Sequence, residues 1–439
     1  MREAFALGSV FCAVAARHPS LRCLVKLTVM FAGVLTVVCS CAAPDATSPN
    51  AIGAKADTAP TRLDLGTLGG LSSYAADISD GDVVVGSSQT SSGATHAFKW
   101  SVGEGMTDLG TLSGDDESQA VAILDDGSGK DGEILGFSGS ADHLTPVIWT
   151  ASGGSRALPI PLLPAATLGR PTGFNAAGQV IGWDLAGLQH AWVWSAVAGK
   201  HDLTSSAPGE SSDGAATAIS PSGTVLLTTR MNSCHAVDEC WRTLLWSEAT
   251  GFFAIGTPTD DPDVAITGLA MNTRGTIVGW IGRTHGGSAA YRWDPGSGFR
   301  ELPHHSASSF AAGYATAVNR SGTVVGADRE PSAGSYVATA WPAGGGIVRL
   351  SPDDPNPSIA VAINSSGSVA GWAALSEHVN HAVVWSAQHG ASPTLALVPR
   401  SASHSVASVR TSSCLAQIRS LITRERLIRC ALTAEGEPR

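Results

Sequence analysis

The chemistry this chain could perform rests on its histidines, its clustered acids and its paired cysteines. Three histidines recur in one local string, His96 in "HAFKW", His190 in "HAWVW" and His381 in "HAVVW", each four residues before a tryptophan. Histidine is a common zinc ligand, but one ion needs all its ligands within a few ångströms. Matching positions in a repeated chain face different neighbours, so the expected role is one hydrogen bond remade in each unit, at the edge of a strand. His304 and His305 form an adjacent pair just after an apolar run, with no partner base or carboxylate indicated by the sequence. The string "DDGSGKDGE", residues 125–133, has the oxygen density of a Ca2+ site. It lacks the D-x-[DN]-x-[DN]-G spacing with a distal glutamate and reads as a solvated loop. No cofactor is expected, and Ca2+ is the one candidate. The acidic turns "TDDPD" at 259–263 and "PDDPN" at 352–356 are weaker versions of the same idea.

Motifs for catalysis are sparse. "GLSSY", from Gly70 to Tyr74, belongs to a Gly/Ser-rich background and is not a nucleophile elbow. The chain contains no H-E-x-x-H, P-loop or dinucleotide fingerprint. An enzyme on a ring of repeats would gather single residues from several units, which spacing does not reveal. The expectation is a non-enzyme. The alternative is a polysaccharide hydrolase or lyase, favoured if carboxylates and histidines converge on one face.

The elements that must position these residues come from a repeat. Trp100, Trp149, Trp194, Trp246, Trp293, Trp341 and Trp385 each end a short apolar run, at intervals of 49, 45, 52, 47, 48 and 44 residues. That period falls in the range of propeller-type repeats. Each unit holds an apolar run such as "AADIS" or "AVAIN", a second such as "DVVVG" or "TVVG", the Trp-ending run, and a "DLGTL"-like run about nine residues later. The runs are short, rich in Val, Ile, Leu, Thr and Trp, and bounded by Gly, Asn, Asp, Ser and Pro, as strands are. The links "NAAG", "SPSG", "NTRG", "NRSG" and "NSSG" put Asn or Ser at the start of a tight turn and Gly at its left-handed end.

Four antiparallel strands repeated seven times predict an all-β, seven-bladed β-propeller. The tryptophans are expected between the blades, as core. A "DLGTL" at Asp64 precedes the first complete unit and would close the ring by supplying the outer strand of the last blade. "SPTLALVP" at 392–399 competes for the same slot, but Leu63 to Gly70 matches the repeat better. Closure removes the sheet edges that invite association, and the protein is expected as a monomer.

The strings "DLGTLGG", "AADISDGDVVVGSS", "HAFKW" and "MTDLGTL" resemble the bacterial extracellular HAF-repeat family, over roughly residues 62–399. Units two, four, five and six lack the histidine. The resemblance implies an exported, propeller-like repeat protein and brings no defined activity.

The N-terminus agrees with export. "LVKLTVMFAGVLTVVCSC" places Lys26 before an apolar run too short to span a bilayer comfortably. It ends in "VCSC", which resembles a lipobox with Cys41 as the lipidated residue. The expected organisation is a signal peptide over 1–41, a Pro/Ser/Thr-rich tether over 42–61, the propeller over 62–399 and a partly helical tail over 400–439. Translation is expected to start near Val25. The expected location is the cell envelope, lipid-anchored, with simple secretion as the alternative.

Cysteine usage fits an oxidising compartment. Cys234 and Cys240 bracket "HAVDE" and are expected to form a disulfide stapling that loop, with a Cys-His-Cys metal site through His235 as the alternative. Cys414 and Cys430 bracket an Arg-bearing amphipathic stretch as a second candidate disulfide.

Beyond residue 41 the chain carries 23 Lys and Arg against 36 Asp and Glu, a net of −13. Phosphate neutralisation needs a basic surface, so nucleic acid is not an expected partner. The expected function is a rigid binding scaffold for an extracellular protein or glycan. The motive is the stretch between the second run and the tryptophan, which varies most in length. A purely structural role in the envelope is a further alternative.

Overall fold

The computed structural model describes residues 24–27, 37–40, 61–124, 132–140, 143–164, 166–207, 210–231, 241–256, 264–282, 287–305, 312–329, 334–376 and 378–386. Leu24–Leu27 and Val37–Ser40 pair antiparallel, Leu24 opposite Ser40, within a unit of their own spanning 1–57. Cys41, Cys234, Cys240, Cys414 and Cys430 lie outside the described residues, as do 125–131, 259–263 and the competing strand 392–399.

From Thr61 onward the described strands form seven four-stranded antiparallel sheets. Blades 1 to 6 span 69–108, 117–157, 168–202, 210–254, 265–301 and 313–349, and blade 7 combines 358–386 with Thr61–Asp64. The protein is a seven-bladed β-propeller closed by its N-terminal strand, with Thr61 opposite Ser386 and Asp64 opposite Val383. The first strand of every blade neighbours the first strands on both sides, including Ser358–Ile363 beside Gly69–Ile78. These seven strands therefore ring the axis.

A lone blade cannot cover both faces of its sheet, so the apolar residues are buried between blades. Seven of the eight apolar clusters among the described residues contain one repeat tryptophan each. Trp100 packs with Phe98 and Ile78 of blade 1 and with Ala370 and Val384 of blade 7. Trp385 packs with blade 7 residues and with Val325 and Ala338 of blade 6. Trp149, Trp194 and Trp341 are likewise buried, while Trp246 and Trp293 are half-buried at the edges of their clusters. Burying so large an apolar side chain is worth about 3 kcal/mol or more.

Two devices set the spacing of strands near the axis. Each first strand bulges at the same place, at residues 76, 121, 172, 217, 269, 316 and 361. The bulged Thr172, Thr217 and Thr316 donate from Oγ1 to the carbonyls of Ala216, Gly268 and Ala360 in the next blade, at 2.7, 2.9 and 2.8 Å. Opposite the bulge, six of the seven second strands carry glycine. A Cβ on Gly86, Gly136, Gly182, Gly279, Gly326 or Gly371 would stand 1.9–2.2 Å from a first-strand carbonyl oxygen. The glycine that closes "DVVVG" in the sequence is thus a point of close backbone approach, and the strand continues past it, over Val84–Thr90 in blade 1.

The hairpin residues do a second job that the turn signature does not announce. Asn319 accepts the Thr323 N–H at its Oδ1 to close its own turn, and donates from Nδ2 to the Asn364 carbonyl. Asn272 donates to Asn319, Asn364 to Ser79, and Asn175 to Ser220. The turn asparagines therefore link blades 3 to 4 and 5 to 6 to 7 to 1, each bond contributing about 1 kcal/mol.

The outer strand differs from the sequence expectation in its limits. It runs over Gly105–Asp108 in blade 1 and ends at the aspartate of "DLGTL". Leu109 adds one more bond, its N–H donating to Ala97 O at 2.9 Å. The equivalents Leu65, Leu158, Leu203, Ile255, Leu302 and Leu350 do the same and are buried. Gly110 then turns with φ +70°, and the rest of the string crosses to the next blade.

Candidate functional site

Antiparallel order sends the loops to two different rims. First-to-second hairpins and third-to-fourth turns share one rim. Second-to-third connections and inter-blade links share the other. On the first rim, six of the seven hairpins have five residues, 79–83, 175–179, 220–224, 272–276, 319–323 and 364–368, and only blade 2 has more, 124–133. On the second rim, the connection within a blade ranges from Gly187 alone in blade 3 to 232–240 in blade 4. The links between blades range from 65–68 to 302–312. Leu71, Leu162, Leu188 and Leu375, all exposed, sit on this variable rim.

The recurrent histidines open onto the same rim. His96 donates from Nδ1 to Asp108 Oδ2 at 2.8 Å, His190 to Asp202 at 3.2 Å, and His381 to Asp64 at 2.9 Å. The carboxylate is fixed from a second side, because Gly110 N–H donates to Asp108 Oδ1 and Gly66 N–H to Asp64 Oδ1. In blade 3 the second oxygen of Asp202 takes Thr204 Oγ1 and Ser205 N–H instead. Each histidine is occupied within its own blade, and the three do not share a ligand. Burial pushes the Asp64 carboxyl upward, but His381, the Gly66 N–H and Arg62 outweigh it and hold it below the ordinary value. Asp202 is lowered in the same way, its serine and threonine partners and His190 overcoming burial. The sequence did hold a signal for this pairing. Units one, three and seven have both the histidine and the aspartate, and the other four have neither.

Two buried aspartates occupy equivalent second-strand positions where the other blades carry Ser88, Ser138, Thr229, Ile281 and Ala373. In blade 3, Asp184 accepts from Trp192 Nε1 at 2.8 Å, Leu163 N–H at 2.7 Å and Lys200 Nζ at 2.5 Å. Lys200 also lies 4.4 Å over the Trp192 ring and donates to Pro161 O. Burial lowers the Lys200 ammonium below its ordinary value despite Asp184 and Asp202 pushing it up. Every polar atom there has a partner, so the group clamps the link 158–167 to blade 3.

In blade 6, Asp328 accepts from His304 Nδ1 at 2.7 Å and from His305 N–H at 2.6 Å. His304 Nε2 stands 3.7 Å from Glu301, and His305 Nε2 3.4 Å from Thr339 Oγ1. The carboxylate that the sequence did not indicate for this pair comes from 23 and 24 residues further along the chain. An imidazole oriented by a buried carboxylate is the arrangement a general base uses.

Asp354 of "PDDPN" pairs with Arg62 of the closing strand, and Glu133 lies 3.8 Å from Arg156. Among the described residues no three His, Cys, Asp or Glu side chains form a metal-binding group.

No protein-family model matches the chain, and neither does any curated protein. Solved structures do. A puromycin hydrolase is 15% identical over 75% of this chain and 52% of its own, with a TM-score of 0.46. A puromycin-hydrolysing peptidase of Mycobacterium tuberculosis is 11% identical over 72% and 52%, also at 0.46. The fucose-specific lectin of Aleuria aurantia is 15% identical over 63% and 94%, at 0.36. The chain spans about half the length of the two hydrolases, 52% of each.

Proposed function

We propose that the protein is an exported cell-envelope lipoprotein of the HAF-repeat type, anchored through Cys41, whose propeller binds an extracellular protein or glycan. The supporting observation is where the chain varies. One rim repeats nearly the same hairpin, and the other carries connections from one residue to nine within blades. Rigid scaffolds place recognition in loops of that kind. The leader with Lys26 and the remaining cysteine pairs support export. The test replaces 232–240 with the single glycine found in blade 3, and separately shortens 124–133 on the opposite rim. Capture of envelope components from extracts should fall for the first variant and hold for the second. Equal capture by both would reject the variable rim as the binding face. Cys41→Ser should abolish palmitate labelling of the full chain.

A second reading, an exported polysaccharide hydrolase or lyase, is favoured by one observation, the His304–Asp328 pair beside Glu301 at the variable rim. Asp328→Asn should abolish any polysaccharide turnover while leaving partner capture intact.

A further inference from the structure

The first strands wall the axis of the ring, and one layer of that wall breaks the repeat. The position two residues before each bulge is held by Tyr74, Gln119, Arg170, Ala215, Thr267, Tyr314 and Ile359. Only Arg170 is charged. It is half-buried, third in the strand Leu168–Phe174, and therefore nearer the variable rim than the tight one.

A partly buried guanidinium normally has a carboxylate, because removing its charge from water without a partner is costly. Arg170 is without one among the described residues. Its Nε is buried with no hydrogen-bond partner, and its Cζ lies 5.1 Å over the Phe137 ring of blade 2. Burial lowers its pKa from the ordinary value, with no acid offsetting the effect. The other charged clusters show what satisfaction looks like here, since Lys200 and Arg292 both hold aspartates. The ring face of Phe137 holds the fork in place, a geometry suited to a planar anion.

We infer that Arg170 is the anion-recognising residue of a binding site at the variable-rim end of the seam between blades 2 and 3, and that its ligand is a carboxylate-bearing saccharide. The saccharide is favoured by Gln119, half-buried in blade 2 and paired across strands with Phe137, which offers a neutral amide for a sugar hydroxyl beside the ring that carries the fork. Carboxylate and guanidinium then pair bidentately. The inference deepens the binding reading above and rests on it for the face that is open.

The test is calorimetry on the full chain with three probes: a uronic acid trisaccharide, its methyl ester and a triglutamate peptide. The trisaccharide should bind, with its ester and Arg170→Gln each weakening it about tenfold or more. Arg170→Lys, which keeps the charge but loses the fork, should retain part of the preference for acid over ester. Arg170→Gln should melt no lower than the wild type, because the half-buried charge it removes has no carboxylate partner to offset its desolvation. Equal affinity for acid and ester, binding unchanged in Arg170→Gln, tighter binding of the peptide, or a lowered melting point in Arg170→Gln would each overturn the site. Loss of envelope capture on exchange of 232–240 with intact trisaccharide binding would separate the loops from the seam. Intact capture without trisaccharide binding would remove this site alone.

Discussion

His381 donates from Nδ1 to Asp64 at 2.9 Å across 317 residues of chain. The bond belongs to the repeat, since His96 makes it with Asp108 only 12 residues away. At the closure, the same local rule joins the two ends of the ring. Leu65 N–H to Ala382 O and Arg62 to Asp354 reinforce it.

Acid should loosen this joint. Asp64 has its folded pKa below the ordinary value, so its contribution is present above the unfolded carboxylate pKa of about 4 and is lost as pH falls through the lowered value. Asp202 and Asp294 add to the same limb, Asp294 chiefly through Arg292. Melting temperature should therefore drop below about pH 4. Asp64→Asn should have a shallower drop and a small penalty at neutral pH, on the order of 1 kcal/mol or less, because its side chain is 43% exposed. Thermal scans between pH 2 and 7 would show it, and identical acid limbs for both proteins would contradict it.

The tryptophans should differ in cost according to their burial. Trp385 is 1% exposed, and its Nε1 donates to Ser351 Oγ at 2.8 Å. Trp385→Ala should lose about 3–5 kcal/mol. Trp246 is half-buried against His201, ring centres 5.5 Å apart, and against Phe252. Trp246→Ala should lose clearly less. Urea midpoints measured at constant slope would rank the two.

The Asp184–Lys200 clamp should be worse half-broken than replaced. Lys200→Met leaves a carboxylate that is 1% exposed with only the Trp192 and Leu163 donors, and should cost about 3–5 kcal/mol. Asp184→Leu combined with Lys200→Met should recover a good part of that. A double variant less stable than the sum of its singles would refute the argument.

Legibility in the sequence followed the range of the interaction. The blades were readable because strand, turn and Trp recur with a fixed period, and the closing strand because "DLGTL" at Asp64 copies the repeat. What stayed hidden was contact between units. Nothing near Asn319 says that its amide reaches Asn364, and nothing near His304 points to Asp328. Those partners are set by the stacking and stagger of blades, which no local pattern encodes. The His–Asp pairing was intermediate, visible only as joint presence or joint loss across seven units. Arg170 was missed because a single arginine in a strand has no signature until its surroundings are known.

The second-strand glycine offers the sharpest test of how the blades are built. A Cβ on Gly371 would lie 2.1 Å from Ile359 O and 2.9 Å from the Trp385 ring. The first contact is with backbone, which cannot rotate away, and the second is with a buried ring. Gly371→Ala should therefore cost about 1–3 kcal/mol as an overpacking defect, although alanine suits a strand better than glycine does. Blade 4 is the natural exception, with Leu227 in this place, fully buried and opposite Ala216. Its bulge at 217 is retained, so that blade has already adjusted to a side chain, and Leu227→Gly should open a cavity rather than relieve a clash. Both substitutions should thus destabilise, in opposite chemical directions at one repeat position. Urea unfolding of the two variants would decide it, and a neutral or stabilising Gly371→Ala would show that the close approach is not what requires glycine there.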